Sequence, residues 1–384
     1  MRTPFTIIAI LIVALLGLWA LTSEEEGAAT APAAAPVDVI AHRVEGLRSL
    51  RFTRLPTPVT VTPQQAVQEG LADFDRQYPP ERRRADEEIY RRLGLLEPGD
   101  DLREVSRSLF GEGVAGYYDP RDGRLRVVEG SGTGTRVLEE MVLAHELTHA
   151  LEDQRFGLPT ETAATDDREL ARAALHEGSA TSLMYSYVEE HFTAEEALGG
   201  LLGSAFQGTG DLPPFLQAQL LFAYVGGERF VADLRRRGGG SWALVDTAFR
   251  LRPPSSTEQV LHPRAYISAD APQRVRLRTG AVLGPGWSRA RAGTWGELQT
   301  RGLVGSRDAA TGWGGDRYEL WRSGSESALI MRWRWDTARD EAQFAWRLRE
   351  WARKLDGAVV ARRGGSVTLA LAPGAGLAGR LAGA

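Results

Sequence analysis

Two histidines and a glutamate stand at the spacing of a metal-binding helix. The stretch V-L-A-H-E-L-T-H-A-L, residues 142–151, places His145 and His149 four residues apart in an apolar run. Side chains four apart on an α-helix leave the same face, so both imidazoles can bind one zinc ion. Glu146 can reach a water in the open coordination position. The pattern predicts a hydrolytic zinc site with Glu146 as general base; the alternative is an amphipathic helix with solvated histidines.

A second helix, predicted over residues 167–188, carries the candidate third ligand. It contains L-H-E-G-S-A-T, in which Glu177 is followed by the small residues Gly178 and Ala180. Small residues let two helices approach closely, and here they would bring the carboxylate to the two histidines. Since the chain contains no cysteine, zinc would be held by histidine and carboxylate, which makes Glu177 the predicted third ligand.

Other residues compete for roles at this site. Glu161 on a loop and Glu169 near a helix start are alternative carboxylates. His176 points about 100° away from Glu177 on the helix, which makes it a neighbour and not a ligand. His262 ends a short helix before a proline, where it is placed to donate a hydrogen bond to a developing oxyanion. The alternative for His262 is an ordinary histidine at a helix C-terminus.

The elements around these residues predict an α+β fold that is mainly helical. Helices are expected between residues 63 and 110, followed by a hairpin over residues 114–128 around an Asp-Gly turn. A hairpin directly before the metal-binding helix is placed to supply an edge strand for an extended peptide. The other interpretation is an ordinary structural hairpin.

The chain divides by composition into five segments. An apolar run within residues 1–21 predicts a transmembrane anchor with a cytoplasmic N-terminus, or alternatively a cleaved signal peptide. Residues 22–36 look like a flexible linker. A zincin-like catalytic domain is expected over residues 37–267, a small α+β module over 268–372, and a disordered Ala/Gly tail over 373–384.

One strand of the C-terminal module has an unusual alternation. Residues 329–335 place Met331, Trp333 and Trp335 on one face and Arg332 and Arg334 on the other. The stripe is compatible with gripping a ligand, although half-buried sheet residues are the commoner explanation.

The charge balance argues against nucleic acid as a partner. The formal net charge is -4 and the pI is about 6.0, so the chain has no overall basic field.

Several motifs together resemble a known group of enzymes. H-E-L-T-H-A-L-E-D-Q followed by E-G-S-A-T looks like the gluzincin zinc metallopeptidases, the thermolysin-like and minigluzincin group. With G-V-A-G-Y-Y-D-P, S-T-E-Q-V-L-H-P-R-A-Y and G-W-G-G-D-R-Y, the similarity extends over residues 47–344 to prokaryotic proteins with an N-terminal membrane segment. The resemblance implies His145, His149 and Glu177 as zinc ligands and Glu146 as base. It suggests His262 as an oxyanion donor only by analogy.

The chain departs from the gluzincin pattern at one position. Many gluzincins carry an aspartate one turn after the ligand glutamate, where it orients the first histidine; this chain has Thr181 there. Asp153, one turn after His149, is the candidate to replace it.

The sequence therefore predicts a membrane-tethered, extracytoplasmic zinc endopeptidase acting on a peptide or protein substrate. Two alternatives stay open. One is a non-catalytic zincin-fold module that binds or assembles cell-envelope partners, and the other is a zinc hydrolase of a non-peptide amide.

Overall fold

The computed structural model describes residues 34–111, 116–130, 135–158, 165–196 and 212–384. Helices and two separate sheets make up these residues, so the predicted α+β class is confirmed. The elements up to residue 267 are α1 (Val37–Arg48), β1 (Pro58–Val61), α2 (Pro63–Gln77), α3 (Pro80–Arg92), α4 (Leu102–Gly111), β2 (Gly116–Asp119), β3 (Arg124–Val128), α5 (Arg136–Phe156), α6 (Asp166–His191), α7 (Pro214–Leu221), a π-helical turn (Phe222–Gly226), α8 (Gly227–Arg237), α9 (Ala243–Arg250), α10 (Thr257–Leu261) and α11 (Pro263–Ile267).

The remaining elements belong to the C-terminal part of the chain. They are α12 (Thr279–Leu283), β4 (Ser288–Gly293), α13 (Gly296–Val304), α14 (Arg307–Ala310), β5 (Trp313–Ser323), β6 (Glu326–Trp335), α15 (Ala338–Ala352), β7 (Ala358–Arg363), β8 (Ser366–Leu371) and α16 (Ala375–Gly383).

The predicted hairpin is present and belongs to a three-stranded sheet. Strands β2 and β3 pair antiparallel, with Gly116 opposite Val127 and Asp119 opposite Arg124. Strand β1 pairs with β3 in parallel, which gives the strand order β1-β3-β2. β2 is therefore an edge strand, and this strand lies against α5.

Helices α5 and α6 form the centre of the first part of the chain. Thr135 and Thr165 cap their N-termini, because each side chain accepts the backbone N–H of the third residue that follows it. The buried faces of both helices belong to one hydrophobic cluster, to which they contribute Ala144, Leu147, Leu151, Leu170, Ala171, Ala174, Leu175, Leu183 and Tyr187. This packing fixes the rotation of each helix about its own axis.

Gly178, the small residue after Glu177, allows close contact with a different helix from the predicted one. A Cβ atom on Gly178 would overlap the backbone of Gly227, and a Cβ on Gly227 would overlap the carbonyl of Ala174. Gly178 therefore allows α6 to approach α8. The prediction that Gly178 allows α6 to approach α5 is wrong, because sequence periodicity does not say which neighbour a helix face meets.

The second sheet is antiparallel and has the order β4-β5-β6-β8-β7. The Trp-bearing face of β6 packs with Phe344 and Leu348 of α15. The opposite face, through Ala328 and Ile330, packs with Leu381 of α16.

The two predicted units, 37–267 and 268–372, contact each other through a shared core. Ile89 and Leu93 of α3 and Phe215 of α7 lie in the same hydrophobic cluster as Trp295 and Tyr318. A polar network reinforces the contact, since Asp166 at the start of α6 accepts hydrogen bonds from side chains of α3, β4 and β5, namely Arg82, Arg291 and Tyr318.

The prediction of a disordered tail over residues 373–384 is wrong. Residues 375–383 form α16, in which Ala378, Leu381 and Ala382 are buried against the sheet. Ala378 and Leu381 stand three residues apart, which puts both on one helix face. The Ala/Gly composition suggested low complexity and hid this short apolar face.

The prediction of a membrane anchor is also corrected. None of the helices in the described ranges is both long and apolar enough to cross a bilayer. The segments that carried the prediction, residues 1–21 and most of the linker 22–36, lie outside the described residues. The anchor, the membrane partner and the extracytoplasmic location that followed from it are therefore not carried into the proposals below.

Candidate metal centre

Helix α5 presents His145 and His149 on one face, and both rings are buried. Their rings stand 4.8 Å apart between centroids, nearly perpendicular to each other. Neighbouring residues Ala144, Leu147 and Leu151 are fully buried in the core, so the helix cannot rotate to move the histidines away.

Glu177 of α6 meets both histidines. The His145 Nε2 atom lies 3.1 Å from His149 Nε2 and 3.2 Å from Glu177 Oε2, and His149 Nε2 lies 3.4 Å from the same oxygen. All three side chains are buried, and these three residues could hold a metal ion.

The separations fit the ligand set of a tetrahedral zinc site. Zinc binds imidazole nitrogen and carboxylate oxygen at about 2.0–2.2 Å, which in a tetrahedron puts the ligand atoms about 3.3 Å apart. Hydrogen bonds alone do not explain the cluster. Each Nε2 atom either carries a proton or does not, so at least one of the three contacts joins two donors or two acceptors. A cation at the centre satisfies all three atoms at once.

The charges of the cluster depend on one another. Burial raises the pKa of Glu177, but the positive charge of His149 and hydrogen bonds from both imidazoles lower it to about 2. Burial lowers the pKa of His149, and the negative charge of Glu177 raises it to about 9. Glu177 therefore favours a positive charge at this point, such as a proton on His149. A metal ion would replace that proton, since metal ligands bind as neutral imidazoles.

Glu146 lies beside this cluster, and its two carboxylate oxygens have different surroundings. Its Oε2 atom accepts a hydrogen bond from the Tyr118 backbone N–H at 2.8 Å. Its Oε1 atom is buried and has no hydrogen-bond partner among the described residues. Burial raises the pKa of Glu146 to about 8, and a bound cation would lower it again by favouring the carboxylate form that can act as a base.

Tyr118 ties the edge strand β2 to α5 at two points. Its backbone N–H binds Glu146, and its hydroxyl donates to Asp153 Oδ2 at 2.8 Å, about two helical turns further along α5. Asp153 also accepts the Leu158 N–H. Sequence reasoning missed Tyr118; its only signal was the position of the hairpin directly before the helix.

Asp153 and Thr181, the two residues considered for orienting the histidines, do not contact them through hydrogen bonds in the described structure. Asp153 binds Tyr118 and Leu158, and none of its hydrogen bonds within the described residues goes to His149. Thr181 is buried, and its hydroxyl has no hydrogen-bond partner in the described part of the chain. Neither residue therefore orients a histidine in this structure.

A buried ion pair joins α5 to α1, and sequence reasoning missed it as well. Glu152 of α5 accepts hydrogen bonds from Arg48 Nε at 2.8 Å and from Ser179 Oγ at 2.5 Å. Arg48 is itself fully buried. The negative charge of Glu152 also raises the pKa of His149.

Aromatic rings pack against His145 of α5 and against His176 of α6. The ring of Tyr224, in the π-helical turn, lies 6.2 Å from the ring of His145. The His176 ring packs edge-on against Phe249, 4.8 Å between centroids, and burial lowers its pKa to about 3. His176 is thus a neutral packing residue, as its helical angle relative to Glu177 suggested.

The other sequence candidates lie elsewhere. Glu169 binds Arg82 at 2.7 Å, and Glu161 lies outside the described residues. His262 Nε2 lies 3.1 Å from Glu297 Oε1 and 3.2 Å from Arg301 Nη2. Within the described ranges His262 makes no hydrogen bond to the three-residue cluster, and its role toward an oxyanion stays a prediction.

Comparison with known proteins gives limited information. The profile of a family described as a domain of unknown function, DUF8575, matches residues 282–381, about a quarter of the chain. No curated protein is similar to the chain in sequence. The crystal structure of an inferred hydrolase with a novel fold from Chloroflexus aurantiacus is similar at 16% identity and a TM-score of 0.41, covering 68% of this chain and 97% of that one. At that TM-score the similarity carries no argument about function.

Proposed function

We propose that the protein is a zinc-dependent hydrolase that cleaves peptide bonds, with a site of the gluzincin type. One observation carries the proposal: three buried ligand atoms, from His145, His149 and Glu177, converge at the mutual distances expected around a tetrahedral zinc ion. The choice of zinc among divalent metals rests on this set of two imidazoles and one carboxylate.

When bound, zinc supplies a Lewis acid that polarises a carbonyl group and makes water a nucleophile near neutral pH. The chain supplies the proton transfers. Oε1 of Glu146 takes the proton of the attacking water and returns it to the leaving amine, while the Tyr118 N–H holds the other oxygen in place. A base held by a backbone donor keeps its geometry through the reaction.

The peptide substrate is proposed from the resemblance of the motifs and not from the hairpin. All four residues of β2 are buried, so this edge strand gives no direct support for pairing with an extended peptide. A zinc hydrolase of a non-peptide amide uses the same residues. A purely binding module does not need Glu146, and the retained base favours catalysis.

The decisive variant is Glu146→Gln, with Glu139→Gln on the same helix as the matched control. We expect the wild type and both variants to bind about one zinc ion each. Casein cleavage by Glu146→Gln should fall by about 100-fold or more, the usual contribution of a positioned general base, while Glu139→Gln should cleave normally.

Three outcomes would contradict parts of this proposal. Cleavage by Glu146→Gln at the wild-type rate excludes the assigned base. A wild-type protein that takes up no zinc after supplementation excludes the metal site. Stoichiometric zinc without cleavage of casein, but with cleavage of a small amide, excludes the peptide substrate alone.

A further inference from the structure

A cavity of about 460 Å³ in the C-terminal part of the chain has a strongly basic lining. Among the described residues, no acidic side chain lines it, and the main-chain carboxylate of Ala384 is the one acidic group in its lining. Ser366 and Thr368 add two hydroxyl groups. The basic lining consists of five arginines: Arg274, Arg276, Arg332, Arg334 and Arg363.

The sheet positions the first two arginines. Arg332 and Arg334 alternate with the buried tryptophans of β6, so their side chains share the face opposite the core, about 7 Å apart along the strand. In the register with β8, Arg332 stands opposite Thr368 and Arg334 opposite Ser366. The two guanidinium groups and the two hydroxyls therefore stand on adjacent strands.

A tight turn positions the third arginine, Arg363. Strands β7 and β8 are joined by Gly364 and Gly365, both with positive φ, 57° and 74°. Two positive φ values in a two-residue loop are typical of a type I′ hairpin, which fixes strand register. Arg363 is consequently held opposite Ser366, at the same end of the sheet as Arg334.

The last two arginines come from the segment before α12. Arg274 and Arg276 flank the buried Val275, and the segment is tied to the sheet because Gln273 N–H donates to the Gly314 carbonyl at 2.6 Å. The Arg276 carbonyl accepts a hydrogen bond from Arg332 Nη1 at 3.3 Å, which places this segment beside β6.

These five arginines lie near no acidic side chain of the described cavity lining, where the Ala384 main-chain carboxylate could offset at most one of their charges. Within the part of the chain that the structure describes, none of the five arginines forms an ion pair, whereas arginines such as Arg48, Arg82 and Arg291 do. Arg332 binds neutral partners only, Thr368 Oγ1 at 2.9 Å and the Arg276 carbonyl. Like charges gathered without a partner repel one another, and a bound anion would remove that cost.

We propose that this cavity binds a compact anion that carries several phosphate groups. Guanidinium groups bind phosphate oxygens through paired N–H donors, and the two hydroxyls add donors of the kind that phosphate sites use. A phosphate group carries about 1.5 to 2 negative charges at pH 7, whereas a carboxylate carries one. Two or three linked phosphates therefore match the charge of five arginines, which would otherwise require four or five separate carboxylates.

The lining also restricts the rest of the ligand. It contains no aromatic side chain, so a nucleobase has nothing to stack on. Its apolar side chains are limited, among the described residues, to Val275, Ala382 and Ala384, so a long hydrocarbon chain would find little apolar surface to pack against inside the cavity. The phosphates can belong to a soluble polyphosphorylated compound or to a lipid headgroup presented at a surface.

The test is isothermal titration calorimetry of the full chain with sodium tripolyphosphate and, separately, with citrate. The test variant is the double substitution Arg334→Gln/Arg363→Gln, and the matched control is Arg347→Gln/Arg349→Gln on the exposed face of α15. We expect one tripolyphosphate per chain, bound at least about tenfold more tightly than citrate. The test variant should bind about 100-fold more weakly, about tenfold for each lost charged contact, and the control should bind as the wild type does.

Co-sedimentation with phosphatidylcholine vesicles containing phosphatidylinositol 4,5-bisphosphate, a lipid whose headgroup carries several phosphates, identifies the source of the phosphate. Sedimentation that tripolyphosphate reverses assigns the cavity to a lipid headgroup, and absence of sedimentation assigns it to a soluble ligand. The proposal is overturned if tripolyphosphate does not bind, if citrate binds equally well, or if both double variants lose the same affinity. Circular dichroism of both variants checks that neither has unfolded.

Discussion

Glu177 determines whether the two histidines of α5 form a metal site or only a buried pair. It is the one acidic ligand in the cluster, it is fully buried, and it lies within 3.4 Å of both Nε2 atoms. Its negative charge compensates the cation that the two imidazoles would share.

Replacing Glu177 with glutamine should therefore remove most of the zinc affinity. We expect a loss larger than the about 10–100-fold that follows removal of a residue outside the ligand set. Competition with a chromogenic chelator measures it. Glu169→Gln is the matched control, because Glu169 lies on the same helix and binds Arg82 instead. Equal zinc affinity in the Glu177 variant and the control would assign the third ligand to another residue.

Two buried hydroxyls on α6 should respond to substitution in opposite directions. Thr181 has a buried hydroxyl without a hydrogen bond in the described structure, whereas Ser179 donates to the buried carboxylate of Glu152. We expect Thr181→Val to leave the free energy of unfolding unchanged or to raise it by about 1 kcal/mol. Ser179→Ala should lower it by about 1–3 kcal/mol.

Urea unfolding of both variants measures these changes, and the chelator competition gives their zinc affinity. If Thr181 orients a ligand, as the aspartate does in gluzincins, Thr181→Val will instead lose about tenfold or more in zinc affinity. That result would show that the hydroxyl takes up a hydrogen bond when the metal is bound.

At the scale of the elements, the close approach of α6 to α8 keeps Glu177 in position. The contact is made between Gly178 and Gly227, directly after the candidate ligand and directly after the π-helical turn that carries Tyr224. Two backbones in contact leave no space for a side chain, and π-helical turns occur frequently at functional sites.

Gly178→Ala should consequently destabilise the protein by about 3 kcal/mol or more, because the new methyl group forces the helices apart. It should also weaken zinc binding by displacing Glu177. Gly46→Ala is the control: Gly46 lies in α1 with open space around it, so the substitution should stabilise by about 0.5–1 kcal/mol. Thermal unfolding followed by circular dichroism distinguishes the two. Similar stabilities would mean that the two helices do not touch at Gly178.

At the scale of the whole molecule, the part that carries the candidate metal site and the C-terminal part depend on one core. Residues of α3 and α7 pack in the same cluster as Trp295, Tyr318 and the inward face of β6. Asp166, at the start of the helix that carries Glu177, binds Arg291 and Tyr318 from the second sheet. The C-terminal part therefore supports the helix on which the candidate ligand lies.

A fragment of residues 34–267 should for this reason fail to fold cooperatively. Without the second sheet, the apolar side chains of Ile89, Leu93 and Phe215 are exposed to water. Asp166, at the start of α6, also loses its hydrogen bonds from Arg291 and Tyr318. We expect strong binding of a hydrophobic dye and a broad thermal transition, compared with a single sharp transition for the full chain. A sharp transition with wild-type zinc content would instead establish an independent catalytic domain.

Local patterns in the sequence were enough to predict many elements. The helix over Pro63–Gln77 and the hairpin formed by β2 and β3 follow directly from capping, turn residues and periodicity. A cap that comes from a distant residue leaves no local pattern. At the start of α13, the N–H groups of Trp295 and Gly296 donate to Asp316 of β5, about 20 residues further along the chain.

For the candidate site, the sequence by itself determined that His145 and His149 lie on one face of a helix with Glu146 beside them, because the four-residue spacing of the histidines is a property of a single helix. Glu177 was predictable only as one of several carboxylates, since its meeting with the histidines depends on how two helices cross. The hydrogen bond from Tyr118 to Glu146, the Gly178–Gly227 contact and the cluster of five arginines were decided by tertiary structure alone. Each joins residues far apart in the chain, and no local pattern specifies which distant surfaces meet.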